Sequence, residues 1–188
     1  MGPTQDKNSS FDMPSKACNC DSRHCEAVVK AFGYGSDACE VALELEKLNV
    51  DYFAVAYAQE GATLRDAGIK TPILVLHPQP DNFEMIIERC LEPSLYSARV
   101  FKAFNAFAKA HSQKNYPVHL KFNTGLNRLG FWENDTDWIL EQLKATDVIK
   151  VKSLFSHLAA SEDRAEDAFT NAQISSFKKA AKVLLEDL

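Results

Sequence analysis

The chain lacks a surplus of positive charge: 21 Lys and Arg against 26 Asp and Glu leave its 188 residues at -5, with an isoelectric point near 5.5. Nucleic-acid backbones and anionic membrane surfaces select for clustered Lys and Arg, so neither is expected as a partner. Long apolar runs are missing too. PILVL at residues 72–76 is strand-sized, far short of the ~20 residues of a membrane helix. The first sixteen residues contain no apolar core of the kind a secretory signal needs, which makes the cytoplasm the expected compartment. Cysteine is sparse and odd in number, five in all, which argues against a disulfide framework and for reduced thiols. Cys18, Cys20 and Cys25 stand close together with His24, but structural zinc sites present two spaced ligand pairs and a second pair is absent, so no metal is expected. Cys39 and Cys90 fall in helix-like stretches and read as small buried hydrophobes.

Present instead is alternation. Strand-like runs near residues 26–30, 51–56, 72–76, 92–96, 117–122 and 149–156 are separated by segments with helical spacing. From Ser36 as N-cap, Ala38, Val41, Ala42, Leu45 and Leu48 recur on one face; Val100, Phe101, Phe104 and Phe107 do the same, as do Ile174, Phe177, Ala181 and Leu184. These stripes are expected to face a core. Repeated strand-helix units imply an α/β protein with a parallel sheet, which right-handed crossovers curl toward a barrel. A closed (β/α)8 TIM-type barrel has eight units and typically about 250 residues. About six units are legible here, which makes residues 26–188 an incomplete barrel behind a polar leader, residues 1–25, read as disordered or non-native.

Lys30 closes the first strand run and is followed at once by a glycine-interrupted turn, VVKAFGYG at residues 28–35. The last residue of such a strand reaches the C-terminal edge of the sheet, where barrels of this class carry their chemistry. Apolar neighbours there disfavour the ammonium form and leave more free amine to attack an aldehyde. From spacing alone the same lysine reads more readily as the first solvated residue of a loop, since perturbed lysines are the minority.

The string VVKAFGYG resembles the cofactor-lysine signature of the alanine racemases, which are pyridoxal-phosphate enzymes. KFNTGLNRLGF at residues 121–131 resembles the family's second signature, and SHLAASED at residues 156–163 its third. FAVAYAQEGATLRDAG and TPILVL resemble its second and third strand-helix units. Three ordered motifs carry more weight than any one alone.

The resemblance implies roles. Lys30 would hold pyridoxal 5'-phosphate and then act as a base on one face of the substrate Cα. Tyr34 would donate a hydrogen bond to the cofactor phosphate. Arg128 would bond the cofactor's phenolic oxygen beside the substrate carboxylate, a task suited to a planar, permanently charged fork. Lys121 matches a lysine often carbamylated in the family, the added anion fixing the arginine. His157 would stack against the cofactor ring. Without the resemblance these residues read as a loop tyrosine, a surface arginine, a strand-end lysine and a structural histidine.

Asn123 stands where the family has aspartate, and Leu126 where it has methionine; both changes bear on substrate contact by the turn. The family's second base, its later barrel strands and a strand-rich second domain that completes a homodimer's active sites have no match here. The implied function is interconversion of L- and D-alanine for peptidoglycan synthesis, with the 188-residue chain inactive or very weak alone. VAYAQEG and LEPSLYS suggest the branch in which the racemase follows a muramoyl-tripeptide:D-alanyl-D-alanine ligase. The alternative is a non-catalytic pyridoxal-phosphate-binding barrel protein.

Overall fold

A computed structural model describes residues 25–187. Cys18, Cys20, His24 and nearly all of the polar leader lie outside the described residues. Six strands form one parallel sheet in chain order: β1 Glu26–Val28, β2 Tyr52–Val55, β3 Ile73–Val75, β4 Glu92–Leu95, β5 Tyr116–Lys121 and β6 Ile149–Phe155. The helices are α1 Ala38–Lys47, α2 Ala58–Asp66, α3 Phe83–Glu88, α4 Ala98–Ala110, α5 Thr136–Lys144 and α6 Asp167–Asp187. Every crossover advances the chain by one strand in the same direction. Right-handed crossovers of that kind keep the helices on one face of the sheet, which is how a barrel is wound.

Period-two alternation divides the strand side chains between two faces. Phe53, Val55, Ile73, Val75, Leu95, Val118 and Leu120 are fully buried in one cluster with helix residues such as Leu64, Ile86, Phe104 and Ile139. Aromatic rings fill the centre of this layer, with Phe83 edge-on to Phe104 at 5.1 Å and Phe101 edge-on to Trp138 at 5.4 Å. Tyr116 spends its hydroxyl on the carbonyls of Ile86 and Leu91 at 2.9 and 2.7 Å, so its ring is buried without stranding a polar atom.

The opposite face carries Ala54, Leu74, Ser94, His119 and Lys121, all buried. Here His119 bridges Glu92 Oε2 at 2.8 Å and Ser153 Oγ at 2.7 Å, and Tyr52 donates to the same Glu92 oxygen at 3.2 Å. One polar network thus ties β2, β4, β5 and β6 across the inside of the sheet.

The strand runs read from sequence agree with the observed strands to within about two residues at most ends. Three local expectations are corrected. Asp37, not Ser36, caps α1: its Oδ1 accepts from the backbone of Cys39 and Glu40 at 2.8 and 3.1 Å. Cys90 is exposed, because it sits in the left-handed turn that ends α3, with φ of 50°. Leu48 is 68% exposed, since α1 has already ended. Among the described residues no helix is long and apolar enough to cross a membrane.

Candidate functional site

Lys30 sits two residues beyond β1, and the ladder reaches almost to it: Val29 N–H donates to the Ala54 carbonyl at 2.9 Å. The backbone then turns left-handed for four residues, Ala31, Phe32, Gly33 and Tyr34, with φ between 53° and 61°. For L-residues this conformation costs about 1–2 kcal/mol each. Lys30 itself is half-buried, whereas Phe32 and Tyr34 are 83% and 68% exposed. Glu60, in the first turn of α2, ties the strained segment down: Ala31 N–H donates to its Oε1 at 2.8 Å, while Ala56 and Tyr57 N–H donate to its Oε2 at 2.7 and 3.1 Å.

Lys121 ends β5 with only 6% of its surface exposed, its ammonium 5.8 Å from the Phe155 ring centre. A closed loop follows. Asn123 Oδ1 accepts from Gly125 and Asn127 N–H at 3.2 and 2.9 Å, and its amide donates to Asn127 Oδ1 at 3.2 Å. The chain returns beside β5 through Asn123 N–H to the Phe131 carbonyl and Phe131 N–H to the Lys121 carbonyl, both 2.8 Å. Arg128 is exposed within this loop. An asparagine serves the loop well, since both its oxygen and its amide nitrogen are used.

His157 follows β6 by two residues and is exposed. Its backbone is fastened to the Arg128 loop from below. Ser156 Oγ lies 2.8 Å from Thr124 Oγ1 and donates to the Phe122 carbonyl at 2.9 Å. Gln173, 1% exposed on α6, donates to Thr124 Oγ1 at 3.3 Å and to the His157 carbonyl at 3.4 Å, and accepts from Ala159 N–H at 3.0 Å.

Sequence reasoning missed Glu60 and Gln173. A signal for Gln173 existed: it occupies the same helical stripe as Phe177, Ala180 and Leu184, and a lone polar residue in a buried stripe needs partners.

Four of the residues singled out form one electrostatic group. Burial pushes the Lys121 ammonium below its ordinary pKa, and the positive charges of Arg128 and Lys30 push it further. The His157 imidazole is held down by burial and then by Arg128, Lys121 and Lys30. The charges acting on these groups are all positive. Tyr34 ends the left-handed turn with its ring exposed. A cleft of about 550 Å3 beside the loop, between Tyr96, Ser97, Trp132 and Trp138, contains none of the four. They lie on the open C-terminal edge of the sheet.

Residues 15–187 match the family model described as alanine racemase, N-terminal domain. The chain belongs to that family. It is 34% identical over 160 residues to the alanine racemase of Thermodesulfovibrio yellowstonii, covering 84% of this chain and 42% of that protein. A solved alanine racemase from Clostridium difficile 630 superposes with a TM-score of 0.83 at 33% identity, covering 88% of this chain and 44% of that one. Another, from Bartonella henselae with covalently bound pyridoxal phosphate, gives 0.78 at 25% identity, covering 87% of this chain and 48% of that one. The chain thus spans under half the length of the racemases it matches, and its six strand-helix units are part of their TIM-type barrel.

Proposed function

We propose that this chain is the cofactor-holding part of a pyridoxal-phosphate-dependent alanine racemase that interconverts L- and D-alanine for peptidoglycan synthesis. The observation that carries the reading is the grouping of Lys30, Lys121, Arg128 and His157 at one sheet edge, where the charges of Lys30 and Arg128 act on Lys121 and those of Lys30, Lys121 and Arg128 act on His157. Such a set fits a guest with an aldehyde, an anionic phenolic oxygen and a phosphate. Pyridoxal phosphate has all three, and when bound it supplies the electron sink that stabilises a carbanion at Cα.

The residues divide the remaining work. Lys30 would hold the cofactor through its amine and would move the proton on one face of the substrate Cα. Arg128 presents a planar fork to the phenolic oxygen and the substrate carboxylate. His157 would lie against the cofactor ring, and Tyr34 would bond its phosphate. Burial and the charges of Arg128 and Lys30 lower the pKa of Lys121, which eases loss of its ammonium proton; the free amine would then condense with carbon dioxide, losing a second proton, to an anionic carbamate. That anion faces Arg128 and fixes its orientation, replacing repulsion with attraction. Racemisation needs a base on each face of Cα, and Lys30 serves one. On this reading the other base and much of a dimer interface belong to the portion of the racemases that these 188 residues do not span.

The test is to incubate the chain with pyridoxal phosphate, reduce with borohydride, and locate the adduct by peptide mass spectrometry, with Lys30→Ala as control. An adduct at Lys30 is expected, and a chain that carries none there refutes the reading. An adduct in a full-length relative context without any exchange of the alanine α-proton would favour the non-catalytic cofactor-binding barrel instead.

A further inference from the structure

We propose that Glu60 is the positioning residue for Lys30, its carboxylate holding the left-handed turn in the form that presents the lysine; this rests on the reading of Lys30 as the cofactor lysine. Two peptide units flank Lys30. The Val28–Val29 unit, one step before them, is fixed by Val29 N–H on the Ala54 carbonyl at 2.9 Å, and the unit directly after Lys30 by Ala31 N–H on Glu60 Oε1 at 2.8 Å. The first bond is an ordinary strand rung. The second comes from a side chain 29 residues away in sequence.

Local bonds close the turn, but its position against the neighbouring strand exit needs a tie from outside it. The turn closes on itself as one short helical stretch, its exit bond from Ser36 N–H to the Gly33 carbonyl is long at 3.4 Å, and three of its four left-handed residues are non-glycine. Residues held in such conformations persist where surrounding structure over-determines them. Phe32 and Tyr34 are exposed, so side-chain packing from these two rings does not supply the restraint.

Glu60 can supply it because its own base is rigid. Its second oxygen accepts from Ala56 and Tyr57, the residues that lead from β2 into α2. The helix beneath is locked by buried Ala62 and Leu64, and by Gly61, where an added Cβ would come within 2.9 Å of a Leu91 methyl. One carboxylate therefore couples the exits of β1 and β2. Glutamine at this position keeps the shape but turns an N–H2 toward N–H donors, so it cannot serve both exits.

The experiment compares the full chain with Glu60→Ala and Glu60→Gln, and with Ser97→Ala, which removes a helix-capping bond from Ser97 Oγ to Val100 N–H elsewhere. Two readouts are taken: the rate of borohydride-trapped pyridoxal phosphate labelling at Lys30, and amide hydrogen exchange at Ala31. Both Glu60 variants are expected to label about tenfold more slowly, the equivalent of one charge-assisted hydrogen bond lost from the competent turn. Ala31 exchange should accelerate in both while Ser97→Ala matches the parent in both readouts. Parental labelling rates with Ala31 still protected in the Glu60 variants overturn the inference. If the parent itself takes no label at Lys30, the cofactor reading fails and the amide decides. Acceleration at Ala31 confined to the Glu60 variants then sustains the anchor, and unchanged protection overturns it.

Discussion

Replacing Gly130 by alanine tests whether the Arg128 loop is closed by backbone contact. Gly130 has φ of 139°, a conformation that side-chain-bearing residues rarely adopt. A Cβ there would stand 2.5 Å from the Phe122 carbonyl carbon, 2.9 Å from its oxygen, and closer still to the Asn123 nitrogen. All three are backbone atoms at the end of β5, so no side chain can swing aside to make room. Relief means moving the returning strand away and stretching the two 2.8 Å bonds that join Asn123, Phe131 and Lys121. Overpacking of this kind costs about 1–3 kcal/mol, and each weakened hydrogen bond about 1 kcal/mol. The expected loss is about 3–5 kcal/mol, read as a lower urea midpoint at unchanged slope, or a fall in Tm of about 6–20 °C for a chain of this size. The loss should be accompanied by weaker pyridoxal phosphate capture, since Arg128 rides on the displaced loop. A change below about 0.5 kcal/mol, the range of ordinary surface substitutions, would show that the loop closes by some other means.

Lys121→Met should flatten a pH dependence. Because burial lowers the folded pKa of Lys121 below its ordinary value of 10.5, the unfolded chain binds more protons between the two values, and stability rises with pH through that window. In bicarbonate-free buffer the methionine variant should lack this rise and be the more stable protein at neutral pH, by about 1–3 kcal/mol for a buried charge removed; an unchanged slope in urea titrations across alkaline pH would contradict it. Arg65→Lys should destabilise by about 2–4 kcal/mol, since a charged donor bond contributes roughly 1.5–3 kcal/mol and such losses are not additive. The Arg65 fork donates to the carbonyls of Ile69, Thr71, Arg89 and Cys90 at 2.7–3.1 Å, a pattern one ammonium cannot reproduce. Equal urea midpoints for the two proteins would count against that role.

Much of this molecule was legible before folding was considered. Period-two runs such as PILVL and the stripe at Val100, Phe101 and Phe104 report burial directly, because the side chains that leave water recur with the geometry of the element. The order of strands followed from the order of units, since sequential right-handed crossovers leave few alternatives. Lys30, Lys121 and His157 were also legible at or just past strand ends, with Arg128 in the loop that follows β5. Other features depended on approach in space between distant segments. Glu60 meets Ala31 across 29 residues and Gln173 meets Thr124 across 49, and neither distance leaves a local pattern. The left-handed turn at Ala31, Phe32 and Tyr34 runs against the intrinsic preference of those residues, so residue type gave no sign of it. Depressed protonation of Lys121 likewise required burial and neighbouring cations to be brought together. Sequence by itself determined the repeating units, their order and the residue types at the sheet edge, because these follow from local periodicity. The tertiary structure alone decided which backbone is strained, which carboxylate restrains it and which cations share one field, because each depends on long-range contacts.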